Sequence, residues 1–256
     1  MDGKRVILAA HRGDRAGCPE NTMAAFRSAL EFGCDMIETD IRMTKDGELV
    51  LIHDGSTLRT TGVDLMVDEL TLEELQALDA GNGERVPTVR EFCELIKDTD
   101  MLVNWEFKIY PADFSDEYAF GVVDKMLEII DEFGLEKRSM MNSFSARVIE
   151  YICKKAPGKF PIHGQGIGIC RRSKDEAEMP EEEMFDWCCL YGIEKGQIAL
   201  ECPEVFDFCN KNGIIPCICI ADDYDNYKLA IELGCKMFTS NDMVKANEIL
   251  RALGVR

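Results

Sequence analysis

Gly33-Cys34-Asp35-Met36-Ile37-Glu38-Thr39-Asp40, answered after a short gap by Glu48-Leu49-Val50-Leu51-Ile52-His53-Asp54, decides how this chain folds. The first leg reads as a strand. Side chains alternate faces along a strand, so Glu38 and Asp40 point the same way. Thr44-Lys45-Asp46-Gly47 is a turn signal built on Asp-Gly. A connection this short joins antiparallel strands, because a parallel pair needs a long crossover. The spacing therefore predicts that His53 returns to where the chain left Glu38 and Asp40. Two acids and an imidazole beside a strand end suit hard-metal chemistry with a proton-transfer partner.

Upstream, Val6 to Ala10 is an apolar run, as in a strand buried on both faces, and it ends in His11-Arg12-Gly13. Pro19-Glu20-Asn21-Thr22 opens a helix that Thr22 caps and Gly33 stops. Downstream, Thr71-Leu72-Glu73-Glu74 is a capping box. Thr88 to Lys97 reads as a helix. Met101 to Lys108 reads as a strand on which Glu106 and Lys108 share a face and Trp105 points away. Helices follow over Tyr118 to Phe133, Ala146 to Lys155, Glu181 to Tyr191, Pro203 to Asn210, Asp223 to Leu233 and Asp242 to Leu253. Strands are expected over Ser139 to Phe144, Phe160 to His163, Gln197 to Glu201, Ile214 to Ile220 and Lys236 to Thr239.

With the return leg set aside, eight parallel strands alternate with helices. That pattern predicts an α/β fold, a (β/α)8 TIM barrel with a β-hairpin excursion and a small insertion after strand 2. It is expected to be one domain over residues 1–256. An open doubly wound sheet would call for a Gly-rich dinucleotide fingerprint, and none is present.

Composition narrows the function. The 256 residues are 46% hydrophobic, as in an ordinary globular protein. A net charge of −19 disfavours nucleic acid and anionic membranes as partners. Most of the 12 cysteines sit in apolar runs, such as Cys93, Cys153, Cys217 and Cys219, which suits buried reduced thiols. No run has the length of a transmembrane helix, and Val6 to Ala10 is too short for a secretory core. A cytoplasmic protein without integral membrane association is expected.

In such a barrel, sites form at the C-terminal strand ends. That rim would collect His11 and Arg12, Glu38 and Asp40, Glu106 and Lys108, with His53 returning above. Carboxylates about 5 Å apart repel by roughly 3 kcal/mol per pair at an effective dielectric near 20. A cation among them relieves this, and all-oxygen ligation points to Mg2+ or Ca2+. Arg12 and Lys108 suit a phosphate. His11 and His53 can divide acid and base work.

These residues are familiar as a set. His11-Arg12-Gly13, Pro19-Glu20-Asn21-Thr22, Glu38-x-Asp40, Thr44-x-Asp46-Gly47, His53-Asp54, Leu58-Arg59-Thr60-Thr61 and Glu106-x-Lys108 resemble the glycerophosphodiester phosphodiesterase family. The resemblance is dense over residues 6–61 and thinner beyond. It implies a metal-dependent phosphodiesterase that hydrolyses a small-molecule glycerophosphodiester to glycerol 3-phosphate and an alcohol. It also implies Glu38, Asp40 and Glu106 as metal ligands, His11 and His53 as general acid and base, and Arg12 and Lys108 on the substrate phosphate. The chain departs from the family's pattern at Cys219, where members often carry tryptophan. It departs again at Ser240-Asn241, where many have Thr-Asp.

Other residues carry weaker signals. His163 reads as structural. Glu20 suits either helix entry or support of the acids, and Asp54 either an orienter of His53 or the surface. Glu201 reaches the rim or solvent. Gly166 to Glu183, with Arg171-Arg172, reads as a polar insertion after strand five. Rival readings are a barrel lyase or aldolase using Lys108 as a Schiff base, and a binding protein with a degenerate site. A lysophospholipid phosphodiesterase is a third, and no apolar surface segment in the sequence demands it.

Overall fold

The computed structural model describes residues 5–111, 113–165, 187–191, 204–211, 215–220 and 222–256. Nine strands are present among them: β1 (Ile7–His11), β2 (Met36–Met43), β3 (Leu49–Leu51), β4 (Leu102–Phe107), β5 (Ser139–Ser143), β6 (Ile162–Gln165), β7 (Trp187–Tyr191), β8 (Ile215–Cys219) and β9 (Met237–Ser240). All but β3 are parallel, and they run β1-β2-β4-β5-β6-β7-β8-β9, with β9 pairing back to β1. The sheet therefore closes on itself, as the sequence predicts for a (β/α)8 barrel.

β3 pairs antiparallel with β2, with Met43 opposite Leu49 and Ile41 opposite Leu51, and its Val50 also forms an isolated antiparallel bridge to Thr88. The turn between them follows its chemistry. Gly47 takes a left-handed φ of 86°, and the Thr44 hydroxyl caps Asp46 at 2.6 Å.

The outer helices are α1 (Met23–Glu31), α2 (Leu58–Thr61), α3 (Leu72–Gln76), α4 (Val89–Ile96), α5 (Asp116–Glu132), α6 (Ala146–Lys155), α7 (Glu204–Lys211), α8 (Tyr224–Glu232) and α9 (Met243–Ala252). Side-chain caps start most of them, with Thr22 on α1 and capping boxes at Thr71 and Thr88. Phe26 of α1, Phe92 of α4 and Trp105 of β4 pack ring on ring, with centroids 4.5 and 5.5 Å apart. Trp105 faces the helices as alternation requires, and its indole donates to Ser139 Oγ at 3.0 Å.

Ile7, Ala9, Met36, Met140, Cys217 and Met237 form a separate apolar cluster inside the barrel, towards the N-terminal strand ends. The hairpin and its insertion own a third cluster of Val50, Ile52, Val67, Leu75, Ala80 and Val86.

One expected element is corrected. The last five residues of the helix expected over Glu181 to Tyr191 form β7, parallel to both β6 and β8. Trp187-Cys188-Cys189-Leu190-Tyr191 is a continuous apolar run, and a run this short fits a parallel strand with partners on both edges. It takes the place in the barrel that Gln197 to Glu201 was expected to fill. That segment, Glu201 itself and the insertion over Gly166 to Glu183 lie outside the described residues.

Candidate active site

Strand register assembles the site. His11 pairs with Glu38, Asp40 with Glu106, Glu106 with Asn142, and Asn142 with His163. These residues lie near the C-terminal ends of adjoining strands, around a pocket of about 400 Å³. His53 reaches the same pocket from the hairpin, because the Ile52 amide donates to the Asp40 carbonyl at 3.0 Å. His11, Arg12, Glu38, His53, Glu106 and Lys108 all line the pocket, and the fully buried Asp40 joins them through the carboxylate cluster.

Oxygens of Glu38, Asp40 and Glu106 lie within 4.8 Å of one another, and all three side chains are buried. Burial, then Asp40 and Glu106, pushes the Glu38 carboxyl well above the usual range. Burial also raises Glu106, against the pull of Lys108. At Asp40 burial is overcome by Lys108 and Arg12, which hold it well below the ordinary carboxylate range. Lys108 Nζ is ion-paired to Glu106 and lies 3.3 Å from Asp40 Oδ1. Arg12 Nε lies 3.2 Å from Asp40 Oδ2.

Three carboxyl groups thus face two cationic side chains, Arg12 and Lys108. Among the described residues, Glu38 Oε1 accepts no hydrogen bond, and Asp40 Oδ1 has only the 3.3 Å approach of Lys108 Nζ. Buried hard oxygens so sparsely satisfied, within one ion's span, fit a divalent cation with metal–oxygen distances of about 2.0–2.6 Å. Burial alone would lower Lys108, but Glu106 and Asp40 reverse this and hold it above its usual value. Ion-paired to Glu106 and close to Asp40, Lys108 is held in the charged form, which counts against a Schiff base and the lyase reading.

Each histidine is fixed through Nδ1. His11 Nδ1 lies 2.8 Å from Asn241 Oδ1, and His53 Nδ1 lies 2.6 Å from Asp54 Oδ1. Asp54 also accepts from Arg59 Nε at 2.5 Å. Burial, reinforced by Arg12, pushes His11 down to about 3. Burial lowers His53 as well, while Asp40 and Asp54 oppose it.

Glu20 sits behind Arg12. Its carboxylate takes Arg12 and Arg15 at 2.9 Å each and Arg59 at 2.7 Å. The Arg12 backbone is left-handed, with φ at 59°, and its amide donates to Glu38 at both the carbonyl (2.9 Å) and Oε2 (3.1 Å). A non-glycine residue in that region stores strain, which these bonds overcome. Gly13 follows at φ 79°, and a Cβ there would meet Ala25 at 2.7 Å.

Sequence reasoning missed several neighbours. Asn21 Nδ2 donates to Asp40 Oδ2 at 2.8 Å, and its Oδ1 accepts from Thr39. Its place in Pro-Glu-Asn-Thr was the available signal. Arg42 follows Asp40 at the strand period of two and lines the pocket. Asn142 lines it too. His163 is buried as expected, with Asn104 Nδ2 donating to its Nδ1 at 2.6 Å, yet it also borders the pocket. Leu58, Val63, Leu65 and Met66 form an exposed apolar segment near the mouth, which was not anticipated.

The fold and site together define a closed α/β barrel with a buried cluster of three carboxylates flanked by two histidines. The chain matches the profile of the glycerophosphoryl diester phosphodiesterase family over residues 11–244 and belongs to that family. It is 42% identical over 164 residues to a glycerophosphodiester phosphodiesterase of Caldanaerobacter subterraneus, a match covering 60% of this chain and 64% of that one. The matched stretch thus spans under two thirds of that relative's length. A Silicibacter pomeroyi structure assigned to the same family superposes with a TM-score of 0.85 at 21% identity, covering 98% of this chain and 95% of that one. An Oleispira antarctica phosphodiesterase, solved with its product sn-glycerol-3-phosphate, gives a TM-score of 0.78 at 20% identity, covering 96% of each chain. These structural likenesses concern the fold.

Proposed function

We propose that this chain, as one domain over residues 1–256, hydrolyses glycerophosphodiesters to glycerol 3-phosphate and an alcohol. One observation carries the reading. Carboxylates from β2 and β4 converge in a pocket that His11 and His53 enter from separate elements, in a chain belonging to this family.

Glu38, Asp40 and Glu106 would hold a divalent cation, Mg2+ or Ca2+, which when bound supplies charge to polarise a phosphate oxygen. Arg12 and Lys108 contact the same phosphate and orient it. His11 takes the proton of the attacking hydroxyl at Nε2, since its Nδ1 is turned to Asn241. The bond from phosphorus to the alcohol oxygen breaks, and His53 Nε2 delivers a proton to that oxygen. Backing by a carboxylate suits His53 to carry the charged imidazolium, as in other acid–base sites. The attacking group is either water or the glycerol hydroxyl beside the phosphoester; in the second case a cyclic phosphate forms as the alcohol leaves, and water then opens it to glycerol 3-phosphate, so ¹⁸O-labelled water with trapping of cyclic phosphate separates the two routes. Cys34, Cys93 and Cys235 are buried free thiols, in keeping with a reducing, cytoplasmic setting.

The test is release of glycerol 3-phosphate from glycerophosphocholine, glycerophosphoethanolamine and glycerophosphoglycerol, with each metal and with chelator. No release under any condition would remove the proposal. The exposed Leu58, Val63, Leu65 and Met66 favour a second reading, a lysophospholipid phosphodiesterase of the same chemistry. Lysophosphatidylcholine in the same assay distinguishes it.

A further inference from the structure

Arg42 is a pocket cation that the chemistry above does not use. It leaves β2 on the side of Glu38 and Asp40, two residues further along. Its Nε donates to the His53 carbonyl at 2.9 Å, which fixes the guanidinium against the hairpin. Among the described residues, no carboxylate pairs with it. Burial works against its charge and Tyr110 supports it, while the carboxylates Asp40, Asp54 and Asp68 act on it only from a distance. The first two are committed elsewhere, Asp40 to Lys108 and Asn21, and Asp54 to His53 and Arg59. Neighbouring arginines differ, since Arg12, Arg15 and Arg59 all rest on Glu20. Gly55 adjoins both the guanidinium and the Met66 methyl. A Cβ there would already touch Nη1 at 3.5 Å, and a longer side chain would lie across it.

Asn142, His163 and Thr239 are buried, uncharged residues of the pocket lining, and Thr239 Oγ1 has no hydrogen-bond partner among the described residues. Neutral donors and acceptors of that kind suit the hydroxyls of glycerol. Arg42 is held to the partly exposed His53 through its backbone carbonyl, and the end of the pocket that these two line is where the leaving alcohol would receive its proton. We propose that Arg42 makes that end select diesters whose alcohol carries a second anionic group, a carboxylate or a phosphate. The assignment rests on the glycerophosphodiesterase reading above.

The experiment compares kcat/KM of the wild type, Arg42→Gln and Arg42→Lys on four diesters of glycerol 3-phosphate. Their alcohols are serine (carboxylate), glycerol phosphate (phosphate), glycerol (neutral) and choline (cationic). The wild type should favour an anionic alcohol over choline by about tenfold or more, as expected for a partly desolvated charge-assisted pair. Arg42→Gln should bring that ratio close to one, and Arg42→Lys should keep most of it even if kcat falls. The serine and phosphate arms show which anion is meant.

Equal or better use of choline by the wild type overturns the proposal. So does a loss in Arg42→Gln that is the same on all four, which would make Arg42 only a support for His53. If no diester turns over with Mg2+ or Ca2+, the parent reading has failed instead. Phosphoserine binding then decides, since it should be about tenfold weaker to Arg42→Gln, and equal binding overturns the site.

Discussion

His11 Nδ1 meets Asn241 Oδ1 at 2.8 Å, and the ring's other nitrogen lies 4.0 Å from Glu38 Oε2. A ring N–H held by that amide leaves Nε2 as the acceptor facing the acids. His11→Ala should lower kcat at least about a hundredfold, and Asn241→Ala about tenfold with KM little changed. Because Asn241 acts through His11, the double variant should be no slower than His11→Ala. Multiplying losses in steady-state kinetics would show that Asn241 acts independently.

Glu20 links stability to pH. Burial would raise its carboxyl, but hydrogen bonds from Arg59 and Arg12 and the charge of Arg15 bring it from 4.5 down to about 2. A carboxyl lowered on folding stabilises above its unfolded pKa and loses that contribution as pH falls through the folded one. Urea denaturation should therefore show Glu20→Gln less stable than wild type at neutral pH, with the gap closing between about 4.5 and 2. A gap independent of pH would refute the ion-pair account.

The acid cluster makes stability depend on divalent cations. Binding to the folded state alone raises the melting temperature by mass action. Mg2+ or Ca2+ should raise that of the wild type, chelator should reverse it, and Glu38→Gln should respond weakly. Lys108→Met removes one of the two compensating cations and should cost about 3–5 kcal/mol without divalent ions, partly recovered with them. Calorimetry with and without chelator checks both.

Gly13→Ala tests the turn that presents Arg12. The new methyl would lie 2.7 Å from the Ala25 Cβ, on a backbone at φ 79°. A loss of about 1–3 kcal/mol is expected from the strained backbone alone, with activity falling as Arg12 moves. An unchanged urea midpoint would mean that α1 shifts freely.

The barrel and hairpin were legible because apolar runs, caps and a short Asp-Gly turn all agree. Register then followed, since Glu38, Asp40 and Glu106 lie where strand alternation puts them. Trp187 to Tyr191 was not legible, because a five-residue apolar run has no period to separate strand from buried helix. Asn21 and Asn142 were missed for another reason. An amide gives no electrostatic signal in sequence, and its role appears only when the partner, Asp40 or His163, is beside it. Arg42 was readable by counting two from Asp40.

The insertion that delivers His53 keeps its own small core, apart from the main one. Elements with separate cores can open separately. On warming, turnover should therefore fade before the barrel itself melts, with amide protons of residues 52–86 exchanging early. The molecule would fall silent while still folded, and would resume work on cooling.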